Sequence, residues 1–584
     1  MTLRLCRYAA ALAWLGMPMA AVALIVPPSE LPGREQQRFI EPPAARAQPR
    51  GPVIALPSTV APAGAESVKL VVRAIQIVGS TVYSEDDLEP LYTDLLGREV
   101  SLQAVYDLAQ RITARYGRDG YVLSRAVIPP QNLTASGAVV RIQVIEGYID
   151  KVVWPEKLAA YPRHREFFAS YEAKILADRP INIRTLERYL LLLGDIPGFK
   201  VSTKLQPSTT QLAASTLVVE VVEKPLDLSG RVDNHGSKAR GPWEFLGSAT
   251  VNNIFRAHEA FTATYAGATN LRELQYVAAN YRQVLTSEGL TGFVNASHSW
   301  GRPGRPVDPA LEYKTRSTIA EAGLSYPLVR ARERNLTFTG LAFLSDADGI
   351  FFNEPNMAPS TRDRLRGFRL KADGDWADPF RGINQFNLTF SQGIKGLGST
   401  RNRDPNLIDD LDTGPLPSRA NGRVDFSKLE FTYARLQPLF WNFSAFASVY
   451  TQQTMTPLLS PELCGYGGRF YGRAFDPSEL VGDKCWIVLG ELRLDIPVPA
   501  GLASLAQLYA FADHGRLSNL RPDFLTPKDL EGTSVGGGVR FGWANQLNAD
   551  LYVAKAICDA CPVLPETGRP RDDTRVFVVV TARN

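Results

Sequence analysis

From about residue 225 onward, apolar and polar side chains alternate with a period of two in run after run. In 384–392, Phe386, Leu388 and Phe390 alternate with Asn387, Thr389 and Ser391; in 427–435, Leu429, Phe431 and Tyr433 alternate with Lys428, Glu430 and Thr432. Successive side chains of a strand point to opposite faces, so each run predicts a strand with one apolar face and one polar, partly charged face. Such runs begin near residues 226, 245, 260, 273, 291, 317, 336, 365, 384, 427, 442, 488, 506, 534, 547 and 575. The count is even. The mean repeat of about 22 residues holds a ~10-residue strand and its connection, as in a closed antiparallel cylinder with lipid outside and water inside. A pair of soluble β-sandwiches would alternate too; the membrane barrel is the reading adopted for 225–584.

Upstream the periodicity changes. Val71 to Val78 is β-rich, Ser84-Glu85-Asp86-Asp87 caps a helical stretch, and Val105, Leu108 and Ile112 fall at helical spacing within 102–116. Strands are predicted at 122–128 and 139–145, which closes a β-α-α-β-β unit of roughly 80 residues. A second unit repeats the order: a strand at 149–154, a helical region ending at 182–193 with Leu186, Leu190 and Leu193 on one face, and strands at 199–206 and 216–223. The predicted fold is therefore two α+β units followed by a 16-stranded antiparallel transmembrane β-barrel.

The N-terminus adds a compartment. Arg4 and Arg7 precede an apolar stretch that ends in Ala21-Val22-Ala23, the pattern of a secretory signal peptide over 1–23. Nine prolines between Pro27 and Pro62 make 24–65 an extended linker, with room for one short polar helix at Arg34 to Ile40. Removing the leader would remove Cys6 and leave Cys464, Cys485, Cys558 and Cys561, candidates for disulfides in an exported chain. The favoured pairing is Cys464–Cys485 and Cys558–Cys561, though sequence alone does not fix it.

Composition narrows the chemistry. The 584 residues carry 64 Lys and Arg against 60 Asp and Glu, a formal charge of +4 spread along the chain, which points away from nucleic acid as a partner. Five His and five Cys leave few ligands for a metal enzyme, and no metal or cofactor site is predicted. Asp233 and His235 could suggest acid–base chemistry, but no nucleophile motif accompanies them, and a turn at the start of the barrel is the better reading. His258, His298 and His514 likewise lack a convincing nucleophile partner, so a barrel hydrolase is the alternative from another class. Trp243, Phe245, Trp441, Phe443, Trp486 and Trp543 sit near run ends, as interfacial girdles do.

Several motifs carry a resemblance. Ile75-Gln76-Ile77-Val78-Gly79 with Val82-Tyr83-Ser84, Gly120-Tyr121 with Ala126 to Gln131, and Val144-Ile145-Glu146-Gly147 resemble a POTRA (polypeptide-transport-associated) domain. Leu192 to Gly198 resembles its second repeat, and Asp233-Asn234-His235-Gly236 with Asn252-Asn253 resembles the start of the barrel that follows. The whole chain is similar to the outer-membrane transporters of two-partner secretion, the haemolysin secretion/activation (TpsB-type) family. Within the predicted 452–487 loop, Gly472-Arg473-Ala474-Phe475 resembles the Val-Arg-Gly-Tyr/Phe loop motif of the wider superfamily. Arg473 and Phe475 match it; Gly472 and Ala474 depart from it. Phe511-Ala512-Asp513-His514-Gly515 resembles the family's inward-facing Asp motif.

The resemblance implies POTRA domains at 66–147 and 148–224 in the periplasm of a Gram-negative bacterium and a monomeric barrel in outer-membrane lipid. The implied partner is a secreted polypeptide with an N-terminal secretion domain; the implied activity is its translocation, not catalysis, and an insertase of the same superfamily is the alternative. The implied lock is Arg473 held by Asp513 through a bidentate guanidinium–carboxylate pair in the lumen, with Gly472, Phe475, Gly515 and Arg469 around it.

Overall fold

The computed structural model describes residues 28–39, 44–48, 60–159, 161–211, 213–304, 313–351, 360–402, 415–499, 501, 503–522, 527–544, 546–557 and 573–584. The expected leader and the Cys558–Cys561 pair lie outside these residues.

Sixteen strands close into one antiparallel barrel. They are Leu226–Asp233, Glu244–Asn252, Glu259–Ala268, Gln275–Val284, Thr291–Gly301, Tyr313–Arg330, Arg334–Phe351 and Thr361–Ala377. The second half is Ile383–Gly393, Ser427–Pro438, Phe443–Thr454, Lys484–Asp495, Leu505–Ser518, Asp529–Trp543, Leu547–Ile557 and Thr574–Arg583. Every one overlaps a predicted run. The last strand returns to the first through Val579↔Asp233 to Arg583↔Ser229, and this pairing closes the ring.

The faces invert the usual sense of burial. In Leu505–Ser518, Tyr509, Phe511, Asp513, Gly515 and Leu517 face inward and are buried, while Leu508 is exposed. Val488, Leu492, Phe541 and Leu551 on neighbouring strands are exposed as well. A continuous apolar outer surface of this kind is a liability in water and the expected surface in lipid. The inner face holds buried Lys428, Asp363, Asp375, Glu491 and Asp513.

Upstream, strand Lys69–Val78 runs parallel to Ala138–Ile145 and antiparallel to Glu99–Ser101, while Arg125–Val127 pairs antiparallel with Ala138–Ile145. Helix Leu102–Arg118 lays Val105, Leu108, Ile112 and Tyr116 on this sheet, against Val72, Val140 and Ile142. The second unit repeats the pattern: Tyr148–Val153 is parallel to Ala214–Glu223, which pairs antiparallel with Phe199–Pro207. Helices Pro162–Ala177 and Ile183–Gly194 cover it. The first unit adds one edge strand that the sequence pattern does not single out, the three-residue Glu99–Ser101.

The second unit is fastened to the near rim of the barrel. Arg330 donates to both carboxylate oxygens of Asp195, at 2.7 and 2.9 Å. Glu288 accepts from Tyr189 at 2.8 Å and pairs with Arg188 and Lys174. His164 Nδ1 lies 2.9 Å from His258 Nε2, both rings buried, with Phe167 stacked on His258. Since the first barrel strand leaves this unit at Leu226, odd-numbered strands run away from it. Connections on the unit side are short (331–333, 439–442), and those on the far side include the long 394–426 and 455–483.

Candidate functional site inside the barrel

The 455–483 loop starts from the far rim and folds back into the lumen. Its segments Cys464–Tyr466 and Leu480–Gly482 form a small hairpin, and Cys464 is disulfide-bonded to Cys485 at the start of Lys484–Asp495. One buried cluster holds Tyr466, Phe475 and Leu480 of the loop with Ile487, Leu489, Tyr509, Phe511, Leu517, Leu530, Tyr552 and Phe577 of the wall. The loop is thus packed as core, not suspended in solvent.

Polar contacts set its depth. Asp513 Oδ1 accepts from the Tyr466 hydroxyl at 2.6 Å and from the Gly472 N–H at 2.7 Å. Gly472 has φ of +65°, a left-handed turn that glycine adopts without strain and that presents its N–H to the carboxylate. Gly515 makes room for the same contact, because a Cβ there would lie 2.4 Å from the Tyr466 ring. Phe475 packs on Tyr466 with ring centroids 5.3 Å apart. Ala474 N–H donates to Ser534 Oγ, and Arg575 donates to Asp476 at 2.7 Å. Arg469 is half-buried beside Phe470, 5.0 Å from the ring centroid.

The direct Arg473–Asp513 pair expected from the motif resemblance is not the pair that forms. Arg473 Nη1 donates to Glu491 Oε2 at 2.9 Å, and its guanidinium lies 4.3 Å from the Phe511 ring centroid. Register explains the exchange. Leu489 is opposite Asp513 and Glu491 is opposite Phe511, so the two inward carboxylates are two positions apart along adjoining strands. Asp513 is occupied by the turn's own N–H and by Tyr466, and the longer arginine side chain reaches Glu491. Arg493 and Arg540 also pair with Glu491, at 2.6 and 2.7 Å. The sequence contained a signal for this residue: Leu492 and Leu494 alternate with Glu491, Arg493 and Asp495, which puts all three charges on the wet face.

A second segment shares the lumen. The short helix expected at Arg34 to Ile40 is instead a 3₁₀ turn, Glu35–Arg38; Ile40 lies outside the described residues. So few residues between Pro32-Gly33 and Pro42-Pro43 cannot repay helix nucleation, and the wall supplies the partners instead. Arg34 is buried and donates to the carbonyls of Ser460 and Leu463, at 3.2 and 2.8 Å, and to Ser478 Oγ at 3.0 Å. Ser460 Oγ in turn donates to the Pro32 carbonyl at 3.1 Å. Glu30 is ion-paired with Arg240 and Arg38, Arg38 with Glu244, and Phe39 stacks on Tyr276. The N-terminal segment and the folded-in loop therefore grip each other as well as the wall.

Asp233 and His235 belong to this packing: Asp233 accepts from Arg231 and from the His235 N–H, and His235 stacks on Phe577. His298 and His514 are hydrogen-bonded to Thr318 and Thr533.

A family model described as "Haemolysin secretion/activation protein ShlB/FhaC/HecB" matches residues 214–539, more than half of the chain. The chain belongs to this family. A second model, "POTRA domain, ShlB-type", matches residues 70–147, the first α+β unit. Among curated relatives, the outer membrane transporter CdiB of Dickeya dadantii is 23% identical over 483 residues, 81% of each chain. The heme/hemopexin transporter protein HuxB of Haemophilus influenzae is 24% identical over 482 residues, 81% of this chain and 80% of that protein. The solved structure of CdiB from Escherichia coli superposes with a TM-score of 0.69 at 17% identity, covering 94% of this chain and 96% of that one. CdiB from Acinetobacter baumannii gives 0.61 at 16% identity. These likenesses agree with the fold described above, a 16-stranded outer-membrane barrel preceded by α+β structure.

Proposed function

We propose that this protein is an outer-membrane translocator of two-partner secretion: its α+β units, in the periplasm, take up an unfolded secreted polypeptide with an N-terminal secretion domain, and the barrel passes it to the cell surface. The observation that carries this reading is a closed barrel of the secretion/activation family whose lumen is filled by two segments of its own chain, Pro28–Phe39 and 455–483. A passive pore has no use for the two α+β units. Those units offer edge strands, Phe199–Pro207 and Tyr148–Val153, whose free backbone groups suit an extended chain by strand addition. Exposed Leu205 and Val222 add apolar contact on the same sheet.

The barrel works as a monomer, and Arg473, Asp513 and their neighbours position the loop rather than react with anything. Folding of the cargo outside supplies direction without a nucleotide. The test is export: deleting this chain should trap the secreted product of a neighbouring reading frame in the periplasm, and re-expression should restore it to the medium. Unchanged export after deletion overturns the proposal, as does a requirement for ATP in reconstituted vesicles for the direction claim.

A further inference from the structure

The two segments in the lumen are held by different forces. The 455–483 loop buries Tyr466, Phe475 and Leu480 against the last five strands of the wall, and Leu458, Leu459 and Leu463 against Leu341, Phe343 and Leu365. Withdrawing it would wet both sides of these contacts, so the loop resists removal. Pro28–Phe39 is held mainly by ion pairs and hydrogen bonds, with Phe39 as its large buried apolar side chain. Of the two, the N-terminal segment is the one that water can replace.

That segment rests on a panel of short side chains. Register sets Ser299, Ser317, Ala347 and Asp363 in one lumen-facing row across four neighbouring strands, and Gly301, Thr315, Gly349 and Thr361 in the next. A Cβ on Gly33 would lie 3.2 Å from Ala347 Cβ, and one on Gly349 would lie 3.3 Å from Pro32, so Pro32-Gly33 lies directly on the panel. Ser297, two positions along from Ser299, donates to Gln36 Oε1 at 3.0 Å. At the near rim the same wall meets the chain again: Asp375 Oδ1 accepts from the Ala47 N–H at 2.6 Å, and the Gln48 N–H donates to the Arg332 carbonyl at 2.9 Å. Two hydroxyls of the panel are left over. Ser299 and Ser317 sit opposite each other on adjoining strands, 0% and 1% exposed, and neither Oγ has a hydrogen-bond partner among the described residues. A buried hydroxyl without a partner is unfavourable, and Pro32 has no N–H to offer.

We propose that an extended cargo polypeptide crosses the barrel along this panel while the 455–483 loop stays in place. Its track is the slot between Thr291–Gly301, Tyr313–Arg330 and Arg334–Phe351 on one side and Ser460-Pro461 of the loop on the other, where Ser460 Oγ now bonds the Pro32 carbonyl. The N-terminal segment fills the track until cargo takes it. Short side chains leave room for residues of any size. The Ser299 and Ser317 hydroxyls can donate to a peptide carbonyl or accept from a peptide N–H, which every residue but proline supplies, so the panel serves a chain without reading its sequence. This inference names the cargo-facing wall for the translocator reading above and rests on that reading.

The test stalls the secreted product of the neighbouring reading frame in the full-length barrel by fusing a disulfide-closed globular domain to its C-terminus. The product carries single cysteines at consecutive positions in the stretch that spans the barrel. The barrel, in a Cys558→Ser/Cys561→Ser background, carries Ser299→Cys or Ser317→Cys on the panel, or Ser448→Cys or Ser534→Cys on the wall beneath the loop, where these serines meet Tyr471 and the Ala474 N–H. All four exchanges are nearly isosteric, and heat-modifiable gel mobility verifies folding. Oxidation should join cargo to the panel cysteines at least tenfold more than to the other pair. A second measurement needs no cargo: in channels opened by Arg34→Ala, a charged methanethiosulfonate should lower the current through the panel variants and leave the other two unchanged. Equal joining at both walls, joining that favours Ser448→Cys or Ser534→Cys, no joining at any of the four while stalled cargo co-purifies, or equal loss of current overturns the proposal. Export that persists when this chain is deleted instead removes the translocator reading, and the deletion strain scores that outcome separately.

Discussion

The Arg473 guanidinium closes on the Glu491 carboxylate at 2.9 Å, while Asp513, on the adjoining strand, takes the loop by its backbone. The loop is thus held at two heights by two carboxylates with different partners, and substitutions at the two should behave differently.

Removing Glu491 strands Arg473 and Arg493, with Arg540 keeping Asp550, so Glu491→Ala should cost about 3–5 kcal/mol, the usual scale for orphaning a buried charge. Arg473→Ala leaves Glu491 two cations and should cost less, about 1–2 kcal/mol. Asp513→Ala orphans the Gly472 N–H at about 1–3 kcal/mol and leaves the Tyr466 hydroxyl only the longer bond to the main-chain carbonyl of residue 513, whereas Asp513→Asn keeps an acceptor and should be milder. Melting of the folded band on semi-native gels ranks the four; a ranking with Arg473→Ala as the most harmful would contradict this geometry.

Arg34 ties the N-terminal segment to the loop through three acceptors. Arg34→Ala should raise the frequency of open-channel events in planar bilayers severalfold, and Arg34→Lys, which cannot serve all three acceptors at once, should fall between. Thermal stability of the barrel itself should change little, because no wall strand loses a partner. Unaltered conductance traces would show that Arg34 does not hold the segment in place.

The Cys464–Cys485 disulfide, 21 residues apart in sequence, closes a ring around the loop motif. In the chain-entropy account such a ring is worth about 3 kcal/mol. Cys464→Ser/Cys485→Ser should therefore lower the melting temperature of the folded band and increase protease cleavage within 465–484. Equal cleavage in both proteins would mean that packing alone fixes the loop.

The His164–His258 contact makes attachment of the second unit sensitive to acid. Burial pushes His258 from 6.5 down to about 4, with His164 adding to the effect. His164 is lowered too, chiefly by burial; Glu223 and Glu259 oppose this and Arg256 reinforces it. A base whose folded-state pKa lies below its unfolded one binds protons on release, so the contact is fully present above pH 6.5 and weakens as pH falls toward 4. Spin-label distances between the unit and the barrel should broaden over that window and stay sharper in His258→Phe. Broadening that is equal in both would assign the effect to other groups.

Much of the architecture was legible because a membrane barrel writes its two solvents into alternate residues. All sixteen strands coincide with runs of period two, and charges at 428, 430, 491 and 513 could be assigned to the lumen by parity alone. The α+β units were legible from helical faces such as Val105, Leu108 and Ile112. What parity cannot give is inter-strand register, and the Arg473 partner depends on it: both Glu491 and Asp513 face inward, and only the offset of two neighbouring strands decides which one the side chain meets. The N-terminal turn was obscure for a related reason. Its shape is dictated by acceptors on Ser460, Leu463 and Ser478, more than four hundred residues away, and not by its own propensity.

The composition of the Pro28–Phe39 segment bears on how the pore could be vacated. An apolar cork would resist withdrawal, because each buried methylene would have to be wetted. Here the buried polar side chains are Glu30, Arg34, Glu35, Gln36 and Arg38, beside one large apolar group, Phe39, and a flooded channel would hydrate each polar one as it departs. Their lumenal partners, Arg240 and Glu244 among them, are left facing water or the peptide groups of whatever chain follows. Apart from Phe39 on Tyr276, the stopper and its seat meet through polar groups, so exchanging one passenger for another lays little apolar surface of this segment bare.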